Sequence, residues 1–100
     1  MITLDGVIGF DWDQGNAAKN WTGHKVSQAE AEQIFLNQPL LLLADPGHSR
    51  AEDRFHALGK TNEGRLLHTS FTFRHSGTLI RVISARPMQR KERLRYAQET

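Results

Sequence analysis

Three alternating stretches, joined by turns too short for a crossover, constrain this chain more than any other feature. Successive strand side chains point to opposite faces, so each stretch reads as two lists. From Glu52 to Lys60, Phe55, Ala57 and Gly59 oppose Glu52, Arg54, His56 and Leu58. From Leu66 to Arg74, Leu67, Thr69, Phe71 and Phe73 oppose His68, Ser70, Thr72 and Arg74. From Thr78 to Ala85, Ile80, Val82 and Ser84 oppose Leu79, Arg81 and Ile83. Asn62-Glu63-Gly64 and Ser76-Gly77 supply the turns. Connections this short make antiparallel hairpins, because parallel neighbours need long crossovers.

The remaining elements follow from local signals. Val7 to Trp12 reads as a short strand, and Asp13 can cap a helix from Gln14 to about Thr22, with Gly23 as its stop. Ser27-Gln28-Ala29-Glu30 has capping-box spacing, and Ala31, Ile34 and Phe35 give the following helix an apolar stripe. That helix should end near Asn37, ahead of Pro39. Leu40 to Ala44 reads as a strand and Asp45 to His48 as a turn. Pro87 suits the first turn of a closing helix that runs to about Gln98. The expected fold is α+β, in the order β-α-α-β-β-β-β-α, with an antiparallel sheet and the helices packed on its apolar face. One hundred residues suit a single domain, 1–100, which can bury roughly two-thirds of its unfolded surface.

Charge is unevenly spread. The net charge is +2, but the segment from Arg86 to Tyr96 holds five basic residues and one acid. It is therefore +4 by itself, and the rest of the chain sums to −2. Nine arginines outnumber four lysines, and the planar guanidinium suits phosphates and carboxylates. The absence of cysteine excludes a disulfide framework, a thiolate nucleophile and a cysteine zinc site. The N-terminal ten residues lack a basic leader, and the longest apolar run, Pro39 to Ala44, is too short to span a bilayer. A soluble, cytoplasmic protein is expected.

The polar face of the meander collects Glu52, Arg54, His56, His68, Thr72, Arg74 and Arg81. Phosphodiester cleavage needs such a set: a base for the ribose 2′-OH, an acid for the leaving 5′ oxygen, and fixed positive charge for the pentavalent phosphate. His56 or Glu52 would move protons and the arginines would hold the phosphate, with no metal and no cofactor. The five histidines contain no helical i,i+4 pair, although His56 and His68 share a face and leave a two-ligand metal site as an alternative. Trp12 and Trp21 are read as core residues. A non-catalytic module, holding nucleic acid or an acidic protein on the arginine face and the basic closing helix, is the other alternative.

Several segments together resemble a known family. Phe10-Asp11-Trp12-Asp13, Asn20 and His24, Glu52-Asp53-Arg54 with Gly59, Thr72-x-Arg74, Ile80-Arg81-Val82-Ile83-Ser84-Ala85-Arg86, and Arg90-Lys91-Glu92-Arg93 with Tyr96 occur in the order seen in the BrnT toxins of type II toxin–antitoxin systems. The chain departs from that pattern at Gly23-His24-Lys25-Val26, where members commonly have Lys-His-Gly. The resemblance implies a RelE-like ribonuclease that arrests growth and is neutralised by a BrnA-like antitoxin. It also implies that operator DNA is bound only through the antitoxin complex. Its functional residues carry over to Arg54, Arg74, Arg81, Arg86 and Glu52. With His56 added from the polar face, the catalytic candidates are Arg54, Arg74, Arg81, Glu52 and His56. The candidates for holding RNA or a partner are Arg86, Arg90, Lys91, Arg93 and Lys60. Strand parity sets Arg86 on the face opposite Arg81, at the strand's end, so it joins the site only if the chain twists or bulges there as the closing helix begins, and otherwise belongs to that helix's partner-binding surface.

Overall fold

The computed structural model describes residues 2–13, 15, 23–45, 47 and 53–100. The expected helix from Gln14 to Thr22, and with it Trp21, lies largely outside them, as do His48 and Glu52. The described elements are β1 (Gly9–Phe10), α1 (Gln28–Leu36), β2 (Leu41–Ala44), β3 (Phe55–Lys60), β4 (Leu66–Arg74), β5 (Leu79–Pro87) and α2 (Arg90–Glu99). The fold class is α+β, as expected. The five strands form one sheet in the order β1-β5-β4-β3-β2.

The capping box forms at the start of α1. Ser27 Oγ accepts from the Glu30 amide at 3.1 Å, and Glu30 Oε1 accepts from the Ser27 amide at 3.1 Å. These bonds satisfy two groups that a helix end otherwise leaves without partners. At the other end Asn37 turns to extended backbone, φ −100° and ψ 156°. Replacing Ser27 by Ala should cost about 1 kcal/mol. Urea unfolding would show this as a lower midpoint at unchanged slope.

The apolar stripe of α1 packs on the apolar face of the sheet. Ala31, Ile34 and Phe35 meet Ala57, Leu67, Phe71, Ile80, Val82 and Ala85 in one buried cluster. Phe71 sits at its centre and is fully buried, with Phe35 edge-on at 5.1 Å and the Phe55 and Phe73 rings at 5.7 and 5.6 Å. A side chain on Gly59 would meet the Cβ and carbonyl oxygen of Ile34 at 3.0 Å, so this glycine lets α1 settle close to β3. Trp12 packs against the same cluster and donates its Nε1–H to Glu32 at 2.7 Å.

Two features depart from the simple meander. β1 pairs with β5 in parallel, so the sheet is mixed. This pairing is short, which confines the expected Val7–Trp12 strand to two residues. In addition, α2 does not share a face with α1. Its Tyr96, with Met88 just ahead of the helix, packs with Leu58, Leu41, Leu43 and Leu66, which belong to the opposite face. The Tyr96 hydroxyl donates to the Pro39 carbonyl at 2.6 Å, tying the helix to the chain ahead of β2. The physical reason is the presence of Leu41, Leu43, Leu58 and Leu66 on the polar face, which leaves an apolar strip at one end of it.

β5 contains the detail that matters most for the site. Ser84 pairs with Ser70, and Val82 with the next residue of β4, Phe71, so Ile83 is an extra residue in the ladder. A bulge of this kind shifts the alternation by one. Val82 and Ala85, three apart, therefore both enter the core with α1. Ser84, expected on the apolar face, turns to the polar one. Arg86 stands beside His68 and Arg81 beside Thr72, so the two arginines share a face after all.

Candidate functional site

The open part of the polar face and the inner side of α2 enclose a cleft of about 820 Å³. Its floor is Leu43, His56, Leu58, His68, Ser70, Ser84 and Arg86. Its helix wall is Lys91, Glu92, Leu94, Arg95 and Gln98. The register explains the floor: His56 is the ladder partner of Ser70, and Arg86 of His68, so side chains from three strands stand in adjacent rows.

Two ring nitrogens of His56 are engaged. Nε2 lies 2.8 Å from Oδ2 of Asp45, and Nδ1 lies 3.2 Å from Oγ of Ser70. The His56 and His68 rings lie 4.8 Å apart, tilted by 39°. On the other side Arg86 makes a two-pronged pair with Glu92, with both N–H···O distances 2.8 Å, and a further bond to the Pro87 carbonyl at 3.2 Å. Glu92 Oε1 also accepts from the Gln89 amide at 2.8 Å, closing a capping box at the start of α2. Gln89-x-x-Glu92 is thus both a helix start and the anchor of an arginine in the cleft.

These contacts set the charge states. Burial alone would raise the Glu92 carboxyl, but the hydrogen bonds from Arg86 and the Gln89 amide outweigh it and hold the group below its ordinary value. The bond to Glu92 in turn raises the Arg86 guanidinium. His68 is pushed down to about 4, first by burial and then by the Arg86 charge. Its ring is therefore neutral at neutral pH, and its buried Nδ1 has no hydrogen-bond partner among the described residues.

The low value at His68 predicts a pH dependence of stability. An unfolded chain takes up the proton near pH 6.5, whereas the folded chain refuses it until about 4. Stability from this group is therefore complete above about pH 6.5 and falls as the pH drops toward about 4. Allowing for screening at the cleft mouth, the loss between about pH 7 and pH 5 should be about 1–2 kcal/mol. Thermal melts at the two pH values check it: His68→Leu should flatten the difference seen in the parent.

A family model described as "Ribonuclease toxin, BrnT, of type II toxin-antitoxin system" matches residues 12–92. The chain belongs to the BrnT family. BrnT proteins are ribonuclease toxins of type II systems, which implies an RNA target and an antitoxin partner. No curated protein matches the chain.

Against this BrnT cleft, the residues singled out from the sequence divide into groups. His56, Arg86 and Lys91 line it. Arg81 is engaged elsewhere, by ion pairs to Asp11 at 3.3 Å and to Asp13, which fasten the N-terminal segment to the sheet. Arg74 ends β4 opposite Leu79, six residues beyond His68 and so roughly 20 Å along the strand. Arg54 precedes β3, and its carbonyl accepts from the Asp45 amide at 3.0 Å. Lys60 ends β3 opposite Leu66 and does not line the cleft. Arg90 and Arg93 are exposed on α2, and Arg93 donates to the Met88 carbonyl at 2.8 Å. Asp45, Ser70, Ser84, Glu92 and Arg95 were not among the sequence candidates. For Glu92 the Gln-x-x-Glu spacing was a usable signal, whereas Asp45 and Ser84 gave none. No helix among the described residues is long and apolar enough to cross a membrane.

Proposed function

We propose that this BrnT toxin is a metal-independent endoribonuclease whose active site is the cleft between β3–β5 and α2. The observation that carries the reading is the juxtaposition of His56, held at both ring nitrogens, with the Arg86 fork on one cleft floor. His56 is the base on which the proton lost by a ribose 2′-OH comes to rest. Arg86 then stabilises the charge that builds on the pentavalent phosphate. The bonds it makes to described groups use three of its five N–H donors. Lys91 and Arg95 at the rim draw the polyanion in. Arg54 and Arg74 continue the basic face toward neighbouring phosphates. Glu52 remains the candidate for protonating the 5′ oxygen. Arg81 serves the fold through Asp11 and Asp13 rather than the phosphate.

Neutralisation by a BrnA-like antitoxin, with operator DNA bound only through the toxin–antitoxin complex, belongs to the same proposal and rests on family membership. The test uses purified protein and RNA in the presence of a chelator. The parent should cleave, and His56→Ala should be slower by roughly 10²–10⁴-fold, the usual loss of a proton-transfer residue. A folded His56→Ala chain that cleaves at the parental rate would remove this site assignment. Abolition by the chelator would remove metal independence.

A further inference from the structure

His56 does not face the cleft alone. It is the middle of a three-residue chain drawn from three separate parts of the sequence: Asp45 just after β2, His56 in β3 and Ser70 in β4. The geometry dictates how hydrogens are placed along it. An ionised carboxylate only accepts, so the 2.8 Å contact to Asp45 requires the hydrogen on Nε2. In the neutral ring Nδ1 is then an acceptor, and the Ser70 hydroxyl at 3.2 Å donates to it. Asp45 is itself held: its amide donates to the Arg54 carbonyl at 3.0 Å, and its side chain is only 12% exposed. Ser70 is fixed by the ladder directly opposite His56 and lines the cleft. With both nitrogens occupied, His56 has no bare edge for a substrate, and the hydroxyl on Nδ1 is the way in.

Resting on the ribonuclease reading above, we propose that Ser70 is a catalytic proton relay between RNA and His56, and that Asp45 is the positioning residue that sets the tautomer of His56. Ser70 Oγ accepts the proton of the ribose 2′-OH while its own hydrogen passes to Nδ1. The 2′ oxygen bonds to phosphorus and the bond from phosphorus to the 5′ oxygen breaks. The departing oxygen takes a proton from water, and the products are a 2′,3′-cyclic phosphate and a 5′-hydroxyl. The imidazolium left behind faces the Asp45 carboxylate and returns its extra proton to solvent.

The test compares purified full-length Asp45→Asn, Ser70→Ala, Ser70→Thr and His56→Ala chains with the parent. Two readouts are taken: RNA-cleavage kinetics and histidine-labelled ¹⁵N spectra at a pH where the ring is neutral. The parent should show His56 with its hydrogen on Nε2. In Asp45→Asn the amide offers a donor as readily as an acceptor, so that single tautomer is lost, and kcat falls on the order of 10²-fold with KM within about twofold. Ser70→Ala should keep the tautomer and lose kcat by about tenfold or more, and Ser70→Thr, which keeps the hydroxyl, should recover most of it. Should Asp45→Asn not fold, the two Ser70 variants carry the test, since each changes a single atom group on a strand. Parental kcat in both Asp45→Asn and Ser70→Ala, alongside an inactive His56→Ala, overturns the relay and leaves the ribonuclease reading standing. Parental kcat in His56→Ala overturns both.

Discussion

Arg86→Ala is expected to slow RNA cleavage by roughly 10²–10³-fold, the loss that follows when one preorganised charge is removed from a transition state. The expectation depends on the state of Arg86 in the fold. Its two-pronged pair with Glu92 locks the guanidinium in one orientation, and Glu92 is locked in turn by the Gln89 amide. The arginine is therefore preorganised before RNA arrives. Removing it also strips a half-buried carboxylate of its main partner, so a stability loss of about 1–3 kcal/mol should accompany the kinetic one. The double variant Arg86→Gln with Glu92→Gln separates the two effects. A neutral amide pair restores most of the stability while leaving the phosphate without its charge. Melting and single-turnover kinetics on both variants check this. A double variant as fast as the parent would show that Arg86 belongs to the scaffold of α2 and not to the chemistry.

Phe71→Ala is the substitution with the largest expected effect on folding, about 3–5 kcal/mol. Phe71 is fully buried, and three aromatic neighbours, Phe35, Phe55 and Phe73, have ring centroids within 5.7 Å of its own. These neighbours are anchored in α1, β3 and β4, so they cannot close over the space left by a lost ring. A domain of this size has total stability of about 5–15 kcal/mol, and the melting temperature should fall by about 15–30 °C. Calorimetry or circular dichroism measures it. A drop of only a few degrees would mean that the core collapses onto the cavity more freely than its packing suggests.

Much of this architecture was legible because local rules and global packing agree. Ser27 and Glu30 form the box that their spacing calls for, and the face carrying Phe55, Phe71 and Phe73 is the one that α1 covers. The parallel partnership of β1 was not legible, since two residues beside a distant strand leave no mark in local periodicity. Nor was the position of α2. Tyr96, and Met88 just ahead of the helix, find leucines scattered over three strands of the polar face, and only the assembled sheet brings those together. The cleft shows the same division. Strand parity put His56 and His68 on one face, and the register then brings their rings to 4.8 Å of one another. Asp45 lies in a segment whose composition reads only as a turn, and Arg81 looks identical to a phosphate ligand until Asp11 and Asp13 are seen against it. Pairwise charge partners far apart in sequence are invisible to any pattern of spacing.

The extra residue at Ile83 bears on how relatives of this chain should be aligned and redesigned. Residues 79–82 and 84–87 are two words in opposite phase, written without a space. Trimming Ile83 alone would leave a regular ladder with every neighbouring side chain still on its present face, whereas a gap placed at Ala85 would push Ser84 toward the core and Ile83 into the cleft. In β5 the identity of a residue therefore counts for less than its count from this one position, and length variation there should be read as punctuation before it is read as mutation.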